Sequence, residues 1–246
     1  LDKSRLYSCA YWKSTEESLE DAQQNKINHV IKKLSLRPGQ TVLDIGSGWG
    51  SMCFEIAKQS ECEVTGYTLS RNQYDYCVQK AKELKLDNQC HFQLSDYREI
   101  KGKFNRIVSV GMLEHVGRKF YKTFFKKINK LLTDDGIALI HTIGSTDSKS
   151  PPQPFIQKYI FPGGLVPSGS DLLDAIEKTG LICGDMECLI HHYDKTLKAW
   201  LDRFQKNRDK AKKMYSEHFA RMWEFYLSST SAAFHYRDLL VYQLQI

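Results

Sequence analysis

The stretch TVLDIGSGWG at residues 41–50 restricts the fold of this chain more than any other segment. A β-branched and apolar run leads into Asp44, after which Gly46, Gly48 and Gly50 alternate with other residues. This pattern is typical of a buried strand that ends in a glycine-rich turn and opens a helix. Because glycine has no Cβ, such a turn lets the backbone pass close to a bound ligand. The segment predicts an α/β protein with a ligand site after this strand.

The spacing of the glycines separates the ligand classes that use such loops. A dinucleotide site favours G-x-G-x-x-G and an acidic residue about 20 positions later. Here Ser51 occupies the place of the third glycine, and the next predicted strand ends without a carboxylate. No Gly-Lys-Ser/Thr follows, which excludes a P-loop. Asp44 followed by G-x-G-x-G resembles motif I of the S-adenosylmethionine (SAM) methyltransferases, whose cationic ligand suits a carboxylate. A glycine-rich turn without a ligand remains the alternative.

Composition limits the remaining classes. With 246 residues, 41% of them hydrophobic, the chain can bury a substantial core. No apolar run reaches the roughly 18 residues of a membrane span, and no signal peptide is visible. Seven cysteines form no C-x-x-C pair, which favours a reducing cytoplasm. Cys188, His191 and His192 lie close in sequence, but without a second ligand pair we expect no metal site. Because the first residue is Leu1, we expect a fragment or a processed form of a longer protein.

The chain is modestly basic, with a formal net charge of +6. Two segments concentrate the positive charge, one at helical spacing and one as a cluster: Lys119, Lys122, Lys126 and Lys130; Arg203, Lys206, Arg208, Lys210, Lys212 and Lys213. Solvated helix faces are the ordinary explanation, and attraction to an anionic membrane or nucleic acid is the functional one.

Strand and helix patterns alternate along the chain, which predicts a mainly parallel seven-stranded sheet with helices on both faces. The predicted strands are the run before Asp44 and residues 62–67, 91–94, 106–110, 137–142, 188–193 and 239–246. The predicted helices extend from the glycine loop to about residue 59 and over 71–86, 119–132, 171–179, 196–213 and 216–233. Residues 134–136 are predicted as a turn.

Residues 144–169 interrupt this alternation. The segment is rich in proline and in apolar side chains, including Pro151, Pro152, Phe155 and Phe161. It is too apolar for a solvated loop and too rich in proline for one helix. We therefore expect either a lid-like insertion that walls a pocket or a packed crossover.

Polar side chains lie at or shortly after the ends of five of the predicted strands: Asp44, Thr68, Asp96, Glu114 and His141. Ligands of open α/β sheets bind beyond the carboxyl ends of the strands. The sequence therefore predicts that these side chains surround one site.

Several short strings share this order along the chain. They are Y-S-C-A-Y-W at 7–12, T-L-S-R-N-Q at 68–73, D-Y at 96–97, E-H-V-G at 114–117, H-T-I-G at 141–144 and H-Y at 192–193. Together they resemble the catalytic domain of the cyclopropane-fatty-acyl-phospholipid synthases and the related mycolic acid cyclopropane synthases. The resemblance covers essentially the whole chain and implies one Rossmann-like SAM methyltransferase domain over 1–246, without the N-terminal domain of longer relatives.

The resemblance implies two ligands. SAM would contact Tyr7, Ser8, Asp44, Gly46, Gly48, Gly50, Thr68, Ser70, Gln73, Asp96 and Tyr97. The family also holds a bicarbonate ion, and the matching positions are Cys9, Glu114, His141, Ile143 and Tyr193. The implied substrates are cis-unsaturated acyl chains of phospholipids at a membrane surface, which predicts a cytoplasmic enzyme peripheral to the inner face of the membrane. No nucleic acid partner is expected, and a homodimer would form through the N-terminal domain.

Alkene chemistry explains why such residues are needed. A double bond that attacks the SAM methyl group leaves a carbocation, and a base must then remove a proton from the new methyl before the ring closes. A dry pocket must exclude water, and the rings of Tyr193, Phe234 or Tyr236 could stabilise the cation.

Each site residue also has an ordinary explanation. Glu114 could stabilise a helix N-terminus, His141 could be a satisfied strand-end histidine, and Cys9 could be a small buried residue.

The chain also departs from many relatives at Ser47 and Ser51, and Thr230 stands where relatives carry a cysteine.

Two other functions remain open. A small-molecule amine N-methyltransferase would use Glu114 and His115 around an amine and would need no bicarbonate. A catalytically silent lipid- or RNA-binding module would use the basic faces instead.

Overall fold

The computed structural model describes residues 1–147 and 153–246 of the chain, so Pro151 and Pro152 lie outside the described residues. One sheet of seven strands has the order β3-β2-β1-β4-β5-β7-β6. The strands β1 to β5 run parallel, whereas β7 is antiparallel to both β5 and β6. The strands are β1 Thr41–Ile45, β2 Glu63–Thr68, β3 Cys90–Leu94, β4 Phe104–Val110, β5 Leu132–Ser145, β6 Asp185–Leu189 and β7 Leu239–Gln245. This confirms the predicted mainly parallel α/β sheet.

Helices cover both faces of the sheet, as predicted. They are α1 Leu19–Leu34, α2 Ser51–Gln59, α3 Arg71–Glu83, α4 Tyr121–Leu131, α5 Pro154–Tyr159, α6 Gly169–Glu177, α7 His192–Lys206, α8 Arg208–Met214 and α9 Glu217–His235. One apolar core packs α4 and α6 against the sheet, and a second packs α1, α2 and α3 against the opposite face. A third core joins the N-terminal segment to α7 and α9. Burial of these three apolar clusters is the main source of stability.

Helix α1 was not predicted, although its ends carry local signals. The side chain of Ser18 accepts a hydrogen bond from the Asp21 N–H, which caps the first turn. Ser35 ends the helix in the left-handed region, at φ 49°. Between these ends the helix is mostly polar, so the apolar residues that pack on the sheet do not stand out as a helical pattern in the sequence.

Three predicted boundaries were wrong. The strand predicted at 188–193 ends at Leu189, and Tyr193 lies in α7 because His191, at φ 63°, turns the chain into that helix. The helix predicted over 196–213 is two helices that meet at Asn207. The turn predicted at 134–136 lies within β5, where the pairing with β4 skips from Leu132 to Ile137. An irregularity of this kind bends a strand without ending it.

Three properties of the described residues bear on the function classes. No helix in 1–147 or 153–246 combines the length and apolarity of a transmembrane span. All seven cysteines are free thiols. Within the same ranges, no group of three or more His, Cys, Asp or Glu side chains is arranged to hold a metal ion.

Candidate active site

A cavity of about 820 Å³ opens beyond the carboxyl ends of the central strands. Its wall includes most of the residues predicted to bind the cofactor: Tyr7, Ser8, Asp44, Gly46, Gly48, Thr68, Gln73, Asp96 and Tyr97. Three of the four segments that supply them lie at or just after the ends of the parallel strands β1, β2 and β3, and the fourth is the N-terminal segment. Gly50 and Ser70 lie outside the wall and cap the helices α2 and α3 that frame it.

The glycine loop has the backbone that its sequence predicts. Gly46 has φ +85°, a backbone conformation that residues with a side chain rarely adopt. A Cβ there would lie 3.0 Å from the Met112 side chain. Gly50 has φ +81°, and a Cβ there would lie 2.9 Å from the Cys77 sulfur. The loop therefore passes close both to the cavity and to the packed residues behind it.

Asp44 places a buried carboxyl group at the bottom of the cavity. The thiol of Cys53 lies 3.3 Å from its Oδ2 and donates to it. Burial raises the pKa of Asp44 to about 7, against the smaller lowering effects of Cys53 and Lys26. A cationic ligand in the cavity would favour the ionised carboxylate and would gain from its charge.

Two further contacts shape the cavity wall. The Thr68 hydroxyl donates to Gln73 Oε1 at 2.7 Å, which fixes the start of α3 against the end of β2. Asp96 binds the Arg98 guanidinium through both carboxylate oxygens, at 2.8 and 2.7 Å. That pairing holds the pKa of Asp96 below its usual value.

The N-terminal segment covers the glycine loop, a feature that the sequence did not reveal. The Ser51 hydroxyl donates to the Ser4 carbonyl oxygen at 2.5 Å. The Arg5 guanidinium lies over the Trp49 ring, 5.1 Å from its centroid, and over the Tyr76 ring, 4.3 Å from its centroid. These cation–π contacts hold the segment against the loop.

Glu114 lies outside the cavity wall, in a buried position next to the end of β5. Its Oε1 accepts a hydrogen bond of 2.7 Å from the Ile143 N–H. Its Oε2 is buried and has no hydrogen-bond partner among the described residues. Burial raises the pKa of Glu114 to about 7, although the Ile143 N–H and the nearby Thr142 hydroxyl lower it in part. The Thr142 hydroxyl donates to the Ile143 carbonyl oxygen at 3.2 Å, so Oε2 keeps no hydrogen bond of its own. A buried carboxyl oxygen without a partner is costly, and at an active site it points to a ligand.

Aromatic rings surround this part of the site. Burial raises the pKa of Tyr193 well above its usual value, and its electrostatic neighbours are Tyr7, Cys9 and Glu114. The structure therefore places Tyr193 near Tyr7, Cys9 and Glu114, which come from two other, distant segments of the sequence. The hydroxyl groups of Tyr7 and Tyr226 are hydrogen-bonded at 3.1 Å.

The rings that complete this aromatic cluster come from α7, α9 and the segment before α6. Tyr7 stacks on Trp200 at 5.1 Å, and Tyr193 packs on Phe234 at 4.7 Å. Phe161 packs against Tyr226 at 6.1 Å. Tyr236, one of the three rings considered for stabilising the cation, is 77% exposed, because it lies just beyond the end of α9.

His141 is buried on β5, two residues before Ile143. Its Nδ1 lies 3.1 Å from Gln243 Nε2, an amide donor, so the proton of the neutral ring is on Nε2. Burial and then the charge of Lys26 lower its pKa to about 3. No hydrogen bond between described residues links His141 to Glu114. Direct contacts therefore connect only some of the residues that were predicted to hold bicarbonate.

The segment 153–169 packs against Glu114 and His115. The Leu165 N–H donates to the Glu114 carbonyl oxygen at 2.8 Å, and Phe161 packs edge-on against His115 at 5.8 Å. None of the described residues of this segment lines the cavity, so these contacts fit a packed crossover as well as a lid, and the lid-like insertion stays a prediction.

The strand order, the glycine loop after β1 and the cavity above it define the Rossmann-like fold of the SAM-dependent methyltransferases. The model of one family, mycolic acid cyclopropane synthetase, matches residues 1–244. The chain belongs to this family.

Two curated relatives illustrate the range of the family. The cyclopropane-fatty-acyl-phospholipid synthase of Escherichia coli K12 is 40% identical over 244 residues, which are 99% of this chain and 62% of that protein. The methoxy mycolic acid synthase MmaA3 of Mycobacterium tuberculosis is 31% identical over 246 residues, covering 95% of this chain and 84% of that protein. The chain thus spans less than two thirds of the Escherichia coli enzyme.

Solved structures agree with the fold. The cyclopropane synthase MmaA2 from Mycobacterium tuberculosis superimposes with a TM-score of 0.94 at 31% identity, covering 100% of this chain and 90% of that one. The mycolic acid cyclopropane synthase CmaA1, solved with SAH and CTAB, gives the same TM-score, identity and coverage. Coclaurine N-methyltransferase, at 22% identity and a TM-score of 0.86, covers 99% of this chain and 77% of its own and shares the fold.

Proposed function

We propose that the chain is a SAM-dependent cyclopropane synthase that acts on the cis double bonds of unsaturated phospholipid acyl chains. The observation that carries the proposal is the buried carboxyl group of Glu114, whose Oε2 has no hydrogen-bond partner among the described residues and which interacts electrostatically with Tyr193. A cavity for a methyl donor and an adjoining apolar cluster with one carboxyl group suit a reaction that passes through a carbocation.

SAM fits the cavity as the methyl donor. The wall supplies glycine backbone without side chains, the polar pair Thr68 and Gln73, and the buried carboxyl group of Asp44. A sulfonium compound carries positive charge, which the carboxylate would stabilise. The methyl group would then have to face the aromatic cluster, because that is where an apolar acyl chain can lie.

The proposed reaction balances as follows. The electrons of the double bond form a bond to the methyl carbon, and the C–S bond breaks with its electron pair going to sulfur. The products of this step are S-adenosylhomocysteine (SAH) and a carbocation next to the new methyl group. Loss of one proton from that methyl lets the third ring bond form. Water must be excluded throughout, which the buried aromatic cluster favours.

The residues around Glu114 suit a bound anion such as bicarbonate. Bicarbonate, when bound, would supply the base that takes the methyl proton. Glu114, with a pKa near 7, can hold a proton at neutral pH and donate it to an anion. In this proposal the neutral His141 ring would supply its Nε2–H as a second donor, and Tyr193, which lies near Glu114, would supply a hydroxyl group. Cys9 stays a neutral thiol because burial raises its pKa.

The rings of Tyr193 and Phe234 suit the developing cation. They lie 4.7 Å apart in the third apolar core. Aromatic faces attract positive charge by electrostatics, and the attraction is strongest where water is excluded.

We also propose that the protein works at the inner face of the membrane as a peripheral, cytoplasmic enzyme. Phe120 is exposed at the start of α4, borders the cavity, and adjoins the exposed lysines of that helix. An apolar ring beside basic side chains suits the surface of an anionic bilayer. We expect any homodimer to depend on an N-terminal domain like that of the longer relatives, and we expect no nucleic acid partner.

Purified protein given SAM, bicarbonate and vesicles of a cis-monounsaturated phospholipid is expected to yield lipid that is heavier by one CH₂ and has lost its alkene. Mass spectrometry and alkene proton signals measure the two changes. Vesicles of the saturated lipid are the control. Unchanged lipid, in a preparation that demonstrably binds SAM, would contradict the lipid activity while leaving the methyl-donor site intact.

An amine N-methyltransferase is the second candidate, favoured by one observation. His115 borders the cavity, and burial lowers its pKa, so it can act as a neutral base near a methyl donor. Methylation of amines at a rate independent of bicarbonate, with unsaturated lipid left unchanged, would favour this function. A silent binding module predicts instead that calorimetry detects no SAM binding.

A further inference from the structure

Lys26 is a buried cation in a helix that was not predicted from the sequence. It lies in the middle of α1 and is 0% exposed, among apolar residues that pack on the sheet. Its Nζ donates to the Ser8 hydroxyl oxygen at 2.8 Å. A lysine is rarely buried in full, since taking its charge out of water is costly. A position of this kind therefore needs an explanation beyond packing.

Gln23 reinforces the contact from one turn earlier on α1. Residues three apart lie on the same helix face. Gln23 Nε2 donates to the Ser8 carbonyl oxygen at 3.0 Å, and its Oε1 is buried without a partner among the described residues. The two side chains of α1 thus bind both the hydroxyl and the carbonyl of one serine, and fix the residue that precedes Cys9.

The direction of the hydrogen bonds leaves one donor free. An ammonium group can only donate, so Ser8 Oγ accepts from Lys26 and keeps its own hydroxyl proton for another partner. Ser8 and Lys26 both line the cavity, which also contains Asp44. This end of the cavity therefore offers a cation and a hydroxyl donor near a carboxyl group. These groups suit a zwitterionic ligand whose carboxylate lies at Ser8 and Lys26.

We propose that Lys26 is a positioning residue that, through Ser8, holds the carboxylate of the amino-acid part of SAM. The inference rests on the proposed binding of SAM in this cavity and adds which end of the ligand lies where. Lys26 lies close enough to interact electrostatically with Asp44, Cys9 and His141. The amino-acid end would therefore sit at the junction between the cavity and the aromatic cluster. That placement would direct the sulfonium methyl towards Tyr193 and Glu114.

The test compares two ligands that differ only in the amino-acid part. SAH carries the carboxylate, whereas methylthioadenosine lacks the whole amino-acid end. Lys26→Met keeps the length of the side chain and removes its charge. Calorimetry is expected to show SAH binding weakened by about 10- to 100-fold, as for loss of a charge-assisted hydrogen bond, and methylthioadenosine binding changed by less than about twofold.

Two further variants sharpen the result. Lys32→Met removes an exposed lysine from the same helix and is expected to leave both affinities unchanged. Ser8→Ala removes the bridging hydroxyl and is expected to reproduce the selective loss, with no added loss in the double variant, since coupled groups are not additive. Ser8→Ala also keeps the test decisive if Lys26→Met fails to fold.

Three outcomes would overturn the inference, and they are distinguishable. If the Lys26 and Ser8 variants weaken the binding of both ligands equally, these residues support the cavity wall and do not bind the carboxylate. If neither ligand is affected, the carboxylate lies elsewhere. If the unmodified protein binds neither ligand, the proposed function fails first, and this inference fails with it.

Discussion

Glu114→Gln is expected to reduce cyclopropane formation by about 10³-fold, the range lost with a general acid or base, and to make the protein more stable above neutral pH. The amide keeps an oxygen for the Ile143 N–H, which now donates to Oε1 at 2.7 Å. It cannot exchange a proton with a bound anion. Activity and stability are therefore expected to move in opposite directions, as they do where a site keeps a costly group for function.

The sign of the stability change follows from the pKa of Glu114. Burial raises that pKa from 4.5 to about 7, so the folded state binds the proton more tightly than the unfolded state does. The free energy of unfolding therefore falls as the pH rises from about 4.5 to 7, and it stays reduced above that range. The full cost at high pH is about 3 kcal/mol, from 1.36 kcal/mol per pKa unit.

Thermal unfolding at two pH values measures this contribution. The new amide leaves a buried N–H₂ group in place of the unpartnered Oε2, which offsets about 1 kcal/mol of the gain. We therefore expect the variant to unfold about 4–8 °C higher than the unmodified protein at pH 8, and at nearly the same temperature at pH 5. Glu61→Gln, at an exposed carboxyl group, is the control and should change neither quantity. A lower Tm at pH 8 would show that the carboxylate is stabilised in the fold.

Local sequence determined the part of the site that was predicted best. The glycine loop depends on a strand, a turn and a helix that follow one another, so Asp44, Gly46 and Gly48 could be placed from the pattern alone. Thr68 was predicted from its place after β2, whereas Gln73 was predicted from the family resemblance, and the structure joins the two at the junction of β2 and α3. Such contacts join residues only five positions apart.

Contacts between distant segments could not be predicted in this way. Lys26 lies in a polar helix sequence, and only the packing of the N-terminal segment on α1 buries it. Tyr193 was assigned to a strand because apolar residues precede it, whereas the left-handed turn at His191 depends on the tertiary structure. The family resemblance predicted Glu114 and Ile143 as one site, but their direct hydrogen bond needed the structure.

Gly144 is the last residue of the H-T-I-G string, and packing explains why glycine is needed there. A Cβ at this position would lie 2.0 Å from Cε2 and 2.2 Å from Cδ2 of the Tyr242 ring. The ring cannot easily move, since it is buried in the core beneath α4 and α6 and its hydroxyl donates to the Ser145 carbonyl oxygen at 3.4 Å. Any larger residue must therefore displace β5 or β7.

Gly144→Ala is accordingly expected to lower the free energy of unfolding by about 3 kcal/mol, the upper part of the range for overpacked cores, and to lower the Tm by about 6–12 °C. Gly184→Ala is the matched control, because its Cβ would lie 3.8 Å from the Gln245 carbonyl oxygen, an ordinary contact. Replacing Tyr242 by leucine in the Gly144→Ala background should restore part of the loss. An unchanged Tm would show that the ring has room to turn away.

The same substitution is expected to reduce activity in the fraction of molecules that stays folded. Gly144 follows Ile143, whose N–H holds Glu114 Oε1, so a displacement of β5 also moves the carboxyl group that the proposed reaction uses. A shift of about 1 Å at a positioned group costs on the order of 10²-fold in rate. Turnover measured well below the lowered Tm separates this effect from unfolding. Full activity per folded molecule would show that Gly144 serves packing alone and that β5 absorbs the strain away from Glu114.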